Sequence, residues 1–373
     1  MAKAVYVGVG SKARKMKKAY IGIGGKARKV KKMYIGVGGK ARLCYSAELE
    51  KVGMAAALST TRYDMRAATV GKYALFAGGY ISKSSFGYSV SSSVDAYNTS
   101  LTKSTPTELS CKRCGHAAAS VGGYALFAGG ASSYNFLGYG NILSSVDAYD
   151  ASLTRSAAHI IGATVAIGGA AVGNYALFAG GTVYSQINKD NVTSDVLAYD
   201  PSLTFTTAPL LSVARAGVKG AAVGNYALFA GGRAGSFCTT VDAYNASLTR
   251  TTATALSSTK NNSAAATVGN HAIFVGNTAS ADIYDASLTK TSAAILSTAR
   301  MGLAATTVGD YAIFSGGGVA DFCDASLTRS SIGTSMTGYD MGAATIGDYA
   351  LFAGGHSGEK SDTAYDSVEV YTA

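Results

Sequence analysis

The stretch Ala67-Ala68-Thr69-Val70-Gly71-Lys72-Tyr73-Ala74-Leu75-Phe76-Ala77-Gly78-Gly79 decides the fold, because the chain repeats it seven times. Its phenylalanine recurs as Phe76, Phe127, Phe178, Phe229, Phe274, Phe314 and Phe352, at intervals of 51, 51, 51, 45, 40 and 38 residues. A second phrase, typified by Val146-Asp147-Ala148-Tyr149-Asp150-Ala151-Ser152-Leu153-Thr154-Arg155, follows each of the first six copies after a variable gap. Its tyrosine is Tyr97, Tyr149, Tyr199, Tyr244 and Tyr284, with Cys323 in the sixth place and a shorter seventh version at Ser367-Val368-Glu369-Val370-Tyr371.

Each unit holds four β-like runs. In the first unit they are Ala67–Val70, Tyr73–Ala77, Val94–Tyr97 and a stretch near Leu101–Leu109, with turns at Gly71-Lys72, Gly78-Gly79 and Asn98-Thr99-Ser100. Four short strands repeated at this period predict an all-β, seven-bladed β-propeller with four-stranded blades. The first strand of each unit is rich in alanine, which suits a strand crowded near the axis. The second is apolar on both faces, which suits a strand covered on both sides by neighbouring blades. The seventh unit has no fourth run after Tyr371. Leu49–Leu58, ahead of Arg62, matches Leu248–Leu256, ahead of Lys260, so this N-terminal segment is expected to complete the last blade and close the ring.

Composition agrees with this pattern. The 373 residues include 46 glycines, 3 prolines and no tryptophan, and glycine at that level in helix interiors would cost about 1 kcal/mol each, which excludes a helical bundle. Hydrophobic residues at 48% supply a core and exclude general disorder.

Charge divides the chain near residue 42. Residues 1–42 carry 13 lysines and arginines and no acid, whereas residues 43–373 carry 19 basic and 22 acidic residues, a net charge of −3. The basic segment repeats every 14 residues, at Tyr6, Tyr20 and Tyr34, and each unit reads as a β-run, a turn and a basic β-run. Small β-hairpins of this kind have little core of their own and call for a partner surface or self-association. Residues 1–42 are therefore expected to form an attachment module, with Tyr6, Tyr20, Tyr34, Lys15, Arg28 and Lys29 as its assembly residues and a homo-oligomer as its product. Nucleic acid is a less suitable partner, because phosphate contact alone makes no use of the repeated Tyr, Ile and Val. Gly8, Gly10, Gly22, Gly24 and Gly25 interrupt any signal-peptide core, and no run is apolar and long enough for a membrane helix. The five cysteines are odd in number and scattered, which argues for synthesis in a reducing cytoplasm without membrane insertion.

Signals for catalysis are few. The four histidines, His116, His159, His271 and His356, fall in no Ser-His-Asp, zinc-protease or phosphate-loop pattern, so the chain is expected to be non-enzymatic, with no catalytic residue, cofactor or metal. Cys111-Lys112-Arg113-Cys114-Gly115-His116 offers three soft ligands but lacks the fourth of a structural zinc site, and reads as loop rather than metal or redox centre.

Two sets of residues are candidates for binding. Arg62, Arg113, Arg215, Lys260 and Arg300 stand nine residues before the glycine that ends the first strand, in the connection from one blade to the next. One reading places them as a cation ring around one mouth of the axial channel. The other pairs each locally with an aspartate or a backbone carbonyl at a blade boundary. The second set lies in the long gaps between second and third strands, Tyr80–Ser92, Ala131–Ser144 and Thr182–Ser194. These hold Tyr80, Tyr88, Tyr134, Tyr139 and Tyr184 among Ser, Asn and Gly, a mixture that suits adaptable recognition of a glycan or protein.

The double glycine ending the second strand, followed by Val-Asp-Ala-Tyr-Asp, resembles a kelch repeat over about residues 45–373. It is present as Gly78-Gly79, Gly129-Gly130, Gly180-Gly181, Gly231-Gly232, Gly316-Gly317 and Gly354-Gly355, while the fifth unit has Gly276-Asn277 and no fourth strand carries the family's tryptophan. The resemblance implies a propeller, and an acidic-peptide contact for arginines placed like Arg62. The 14-residue phrase Tyr20-Ile21-Gly22-Ile23-Gly24-Gly25-Lys26-Ala27-Arg28-Lys29-Val30-Lys31-Lys32-Met33 is similar to short basic repeats of phage and prophage structural proteins of Gram-positive bacteria. Together these resemblances imply a virion component of tail, fibre or decoration type, joined to other virion proteins through residues 1–42, whose propeller binds a host-surface glycan or protein. The alternatives are an intracellular bacterial scaffold that binds an acidic peptide, and a kelch-type sugar-modifying enzyme.

Overall fold

The computed structural model describes residues 6–9, 12–15, 19–23, 26–30, 32–37, 40–46, 48–84, 87–135, 138–159, 162–183, 191–260, 264–358 and 363–373. Among these, every regular element is a β-strand. Seven four-stranded antiparallel sheets follow the seven sequence units in order. The first is built from Arg66–Val70, Tyr73–Ala77, Val94–Asn98 and Lys103–Ser104. The fourth strand is thus only two residues long, against the longer run expected near Leu101–Leu109.

In the seventh sheet the strand Val368–Thr372 lies between Tyr349–Ala353 and Glu50–Met54, with Glu369 opposite Met54 and Val370 opposite Gly53. The N-terminal segment therefore supplies the fourth strand of the last unit, over Glu50–Met54 rather than the whole of Leu49–Leu58. Each first strand neighbours the first strands of the sheets before and after it, and that of the seventh sheet, Gly342–Ile346, neighbours Arg66–Val70 of the first. The repeated sheets have the arrangement of a β-propeller-like repeat protein.

Burial explains the residue choices. In the second strand Ala74, Leu75, Phe76 and Ala77 are all fully buried, and the corresponding residues of every unit are too. In the first strand Ala68 and Val70 are buried while Ala67 and Thr69 are half-buried and turned to the axis. The third-strand tyrosine packs edge-on against the second-strand phenylalanine, as in Phe76–Tyr97 at 5.9 Å and Phe127–Tyr149 at 6.0 Å. Its hydroxyl donates to a carbonyl of the incoming connection: Tyr97 to Ala56, Tyr149 to Thr107, Tyr199 to His159, Tyr244 to Pro209 and Tyr284 to Thr254. One side chain thus fills the core and ties two consecutive units together.

The double glycine has a specific cause. The amide of Gly79 donates to the carbonyl of Arg113 at 2.9 Å, and a Cβ on Gly78 would stand 2.6 Å from that same oxygen. With φ of 63° and 97°, the pair also occupies backbone space that L side chains rarely adopt.

Among the described residues there are eight four-stranded sheets, not the seven expected. The extra sheet comes from the long gaps of the first two units, which fold as hairpins, Tyr80–Ser84 with Gly87–Val90 and Ala131–Asn135 with Gly138–Ile142. The hairpins join where Tyr88 pairs with Tyr134. Both were expected to be loops. They become strands because adjacent units hold two β-branched and tyrosine-rich hairpins side by side, and pairing satisfies edges that would otherwise be open.

The described residues ahead of residue 47 form three further antiparallel strand pairs, Tyr6–Val9 with Lys12–Lys15, Tyr20–Ile23 with Lys26–Lys29, and Lys32–Val37 with Lys40–Ser46. The expected hairpin repeat is therefore present, while the turn residues lie outside the described residues. No helix among the described residues is long and apolar enough to cross a membrane.

Candidate functional site

Four of the five candidate cations are buried and the fifth, Arg300, is nearly so, and all five are engaged by the chain itself, so they do not form an exposed ring at a mouth. Arg62 meets Asp95 at 2.5 Å, Arg113 meets Asp147 at 2.6 Å and Arg215 meets Asp242 at 2.9 Å. Lys260 lies 3.6 Å from Asp282, and Arg300 pairs with Asp321. Other donors go to nearby carbonyls and hydroxyls, as from Arg113 to the carbonyls of Gly129 at 3.0 Å and Ser145 at 2.9 Å, while Nε of Arg62, Arg113 and Arg300 is buried without a hydrogen-bond partner among the described residues. Each aspartate also accepts from the amide and hydroxyl of a serine three residues before the cation, such as Ser59 on Asp95 and Ser110 on Asp147. Burial lowers the pKa of Arg62, Arg113, Lys260 and Arg300 despite the facing carboxylates. The local-pairing reading is the one the geometry matches.

A signal for these pairs was present in the sequence. The third unit has Thr164 in place of the cation and Leu197 in place of the aspartate, so both partners change together. The seventh has Gly338 and Glu369, and there Lys51 of the closing strand takes the carboxylate.

The candidate tyrosines converge. Tyr80 stands 5.3 Å from Tyr88 and 5.9 Å from Tyr134; Tyr88 and Tyr134 are 5.2 Å apart, and Tyr134 and Tyr139 are 4.9 Å apart. With Tyr63, Val90, Cys114 and Val165 they make a small apolar cluster under the eighth sheet. Tyr80 is buried, with its pKa raised by burial, while Tyr88, Tyr134 and Tyr139 stay half-exposed. They brace a raised platform and leave ring edges open on it. Tyr184 lies outside the described residues.

Of the assembly candidates, Tyr6 pairs with Lys15 across the first hairpin and Tyr20 with Lys29 across the second, where Arg28 faces Ile21. Tyr34 sits opposite Leu43, after a register shift at Met33. The structure thus places an aromatic residue across from a lysine in the first two repeats and departs from that pattern in the third.

Cys111, Cys114 and His116 do not converge. Cys111 is exposed, whereas Cys114 is buried with its thiol directed to the Ala131 carbonyl at 3.3 Å and its pKa pushed up to about 12 by burial. His116 is fully buried, and among the described residues neither ring nitrogen meets a hydrogen-bond partner. Among the described residues no group of three or more His, Cys, Asp or Glu is placed to hold a metal ion.

One mouth of the axial hollow encloses about 250 Å³; Tyr139 and Lys260 of its lining were among the sequence candidates, whereas Asp64, Arg66, Lys219, Arg233, Phe237 and Asp340 were missed. Asp64, Gly115, Ala166, Gly217, Gly302 and Asp340 hold equivalent left-handed turns there, with φ between 51° and 70°. Backbone hydrogen bonds link them from unit to unit: Ala166 N to Gly115 O, Gly217 N to Ala166 O, Asp340 N to Gly302 O and Asp64 N to Asp340 O, each 2.7 Å. Arg66 donates from Nε to the His116 carbonyl at 2.9 Å and from Nη1 to Asp64 at 2.7 Å. His356 Nε2 lies 3.0 Å from Asp340, and its ring packs tilted against that of Tyr63, with centroids 4.7 Å apart.

The second-to-third connections rise on this same side, because bridges tie them to the turns: Tyr63 to Tyr80, Cys114 to Ala131, Val165 to Thr182, Ala216 to Arg233 and Tyr339 to His356. No protein-family model matches the chain, and no curated protein matches it.

Proposed function

We propose that the chain is a closed seven-bladed β-propeller of kelch-like type, carried on the basic hairpins of residues 1–42, and that it serves as a phage or prophage virion component which binds a host-surface glycan or protein. The observation that carries this reading is the raised face. The long second-to-third connections of the first two units fold into a separate sheet, packed on its own tyrosine cluster and bridged to the turns around the mouth. A variable surface held rigidly on a constant frame is what recognition requires. Closure is supported by the seventh sheet, whose outer strand comes from residues 50–54. The hairpins of residues 1–42, with their unbroken positive charge, are the part suited to join acidic virion proteins and to self-associate.

The acidic-peptide scaffold reading drew on an exposed cation ring, and those five cations are taken by the chain's own carboxylates. Light scattering of the full chain, followed by a glycan array and whole-cell binding, tests the proposal. An oligomer that binds cells or a defined glycan is expected. A monomer that binds no surface sinks it.

A further inference from the structure

Seven first strands begin at equivalent positions around the axis, and five of those positions are Ala117, Gly168, Ala264, Ala304 and Gly342. The other two are Arg66 and Lys219. They belong to the first and fourth sheets, so they face the hollow from opposite sides. No requirement of the strand calls for a cation here, since alanine or glycine serves five times.

The charges around these two residues are unequal. Arg66 is held by Asp64 and the His116 carbonyl, and Asp340 is held by His356. The Lys219 ammonium has no hydrogen bond or ion pair among the described residues, although it lines the same hollow, whereas Lys260, also in the lining, pairs with Asp282. Burial lowers its pKa, the charge of Arg66 lowers it further, and Asp64 and Asp340 only partly offset this. Its ammonium is therefore short of negative charge at close range. The rim beside it carries a half-exposed Tyr139 and an exposed Phe237, and Arg233 stacks on the Phe237 ring at 5.8 Å.

We propose that this mouth binds a carboxylate-bearing sugar residue, with its carboxylate between Lys219 Nζ and Arg66 and its ring against Tyr139 and Phe237. A hollow of about 250 Å³ fits one six-membered ring and its substituents. Sugar faces pack on aromatic rings, while an ammonium and a guanidinium favour a carboxylate over a neutral substituent. The inference rests on the reading that this face binds surface glycans, and names the class of sugar.

The test is calorimetric titration of the full chain with glucuronate, with glucose, succinate and inorganic phosphate as comparisons. Glucuronate is expected to bind and glucose not. Lys219→Met is expected to weaken glucuronate binding at least about tenfold with an unchanged melting temperature, and Lys219→Arg to retain it. Acetylation of Lys219 in the unaltered protein, read by mass spectrometry, is expected to slow when glucuronate is present, which tests the contact without any variant. Succinate or phosphate binding as tightly as glucuronate would overturn the sugar assignment. Absence of glucuronate binding, or binding indifferent to Lys219→Met together with unprotected acetylation, would overturn the site. Cell binding that persists after such a failure leaves the surface-binding reading standing without it.

Discussion

Arg113 and Asp147 meet at 2.6 Å with both side chains buried, and they join two consecutive units: the Arg113 carbonyl accepts from Gly79 of one sheet while its guanidinium grips the third strand of the next. Removing Arg113 takes away one of two cations on the buried Asp147, the other being the part-exposed Arg155 at 2.9 Å, so the loss should stay within the about 3–5 kcal/mol typical of breaking a buried pair. Arg113→Thr should destabilise the protein by that order. The double variant Arg113→Thr with Asp147→Leu, which copies Thr164 and Leu197 of the third unit, should recover most of the loss. Urea denaturation of both variants checks this, and a double variant no more stable than the single one contradicts it.

Ala166 is the one alanine in the ring of left-handed turns, with φ of 58° where Gly115, Gly217 and Gly302 have 60°, 70° and 63°. A Cβ in that conformation costs about 1–2 kcal/mol, offset in part by the greater freedom that glycine gives the unfolded chain. Ala166→Gly should therefore stabilise by about 1 kcal/mol, with a higher melting temperature as the readout. An unchanged or lower one would show that the turn tolerates the side chain.

His116 occupies a core position that Met65, Ile167, Val218, Leu303 and Met341 fill in other units. Burial, then the charges of Arg113 and Arg66, holds its pKa well below the ordinary 6.5. The folded chain thus keeps the ring neutral while the unfolded chain takes up a proton. Stability should fall as pH drops below about 6.5, toward the folded pKa. His116→Met should remove that slope and raise stability at pH 6, because it also removes two unsatisfied nitrogens, each group of this kind costing about 1–3 kcal/mol. Denaturation curves between pH 5 and pH 8 read both effects.

Glu369 ties the closing strand. Burial works against its carboxylate, but hydrogen bonds from Lys51, Tyr371 and Ser335 outweigh that and hold its pKa below the ordinary 4.5. Its stabilisation is full above about pH 4.5 and is lost as pH falls through the lower folded value. Glu369→Gln should cost about 1–3 kcal/mol at pH 7 and flatten the acid side of the stability curve. A variant with the same acid slope as the parent would show that other carboxylates set it.

The strands, their order within each unit and the pairing of Glu50–Met54 with the last unit were legible because they depend on short-range alternation and on a motif copied seven times. The paired cations were only half legible. Arg113 and Asp147 are 34 residues apart, and a lone arginine in a connection looks the same whether it turns outward or inward. The joint replacement by Thr164 and Leu197 was the available clue, since a buried charge survives only with its partner.

Composition and repetition alone thus settled an all-β chain of seven four-stranded units with a separate basic hairpin segment, because strand alternation, turn glycines and repeat period are local properties. Folding in three dimensions settled the eighth sheet, the inward turn of five cations and the gathering of Asp64, Arg66, Lys219 and Asp340 at one mouth. Each of these needs residues from different units to meet, and whether they meet is set by how neighbouring sheets pack, which no single stretch encodes.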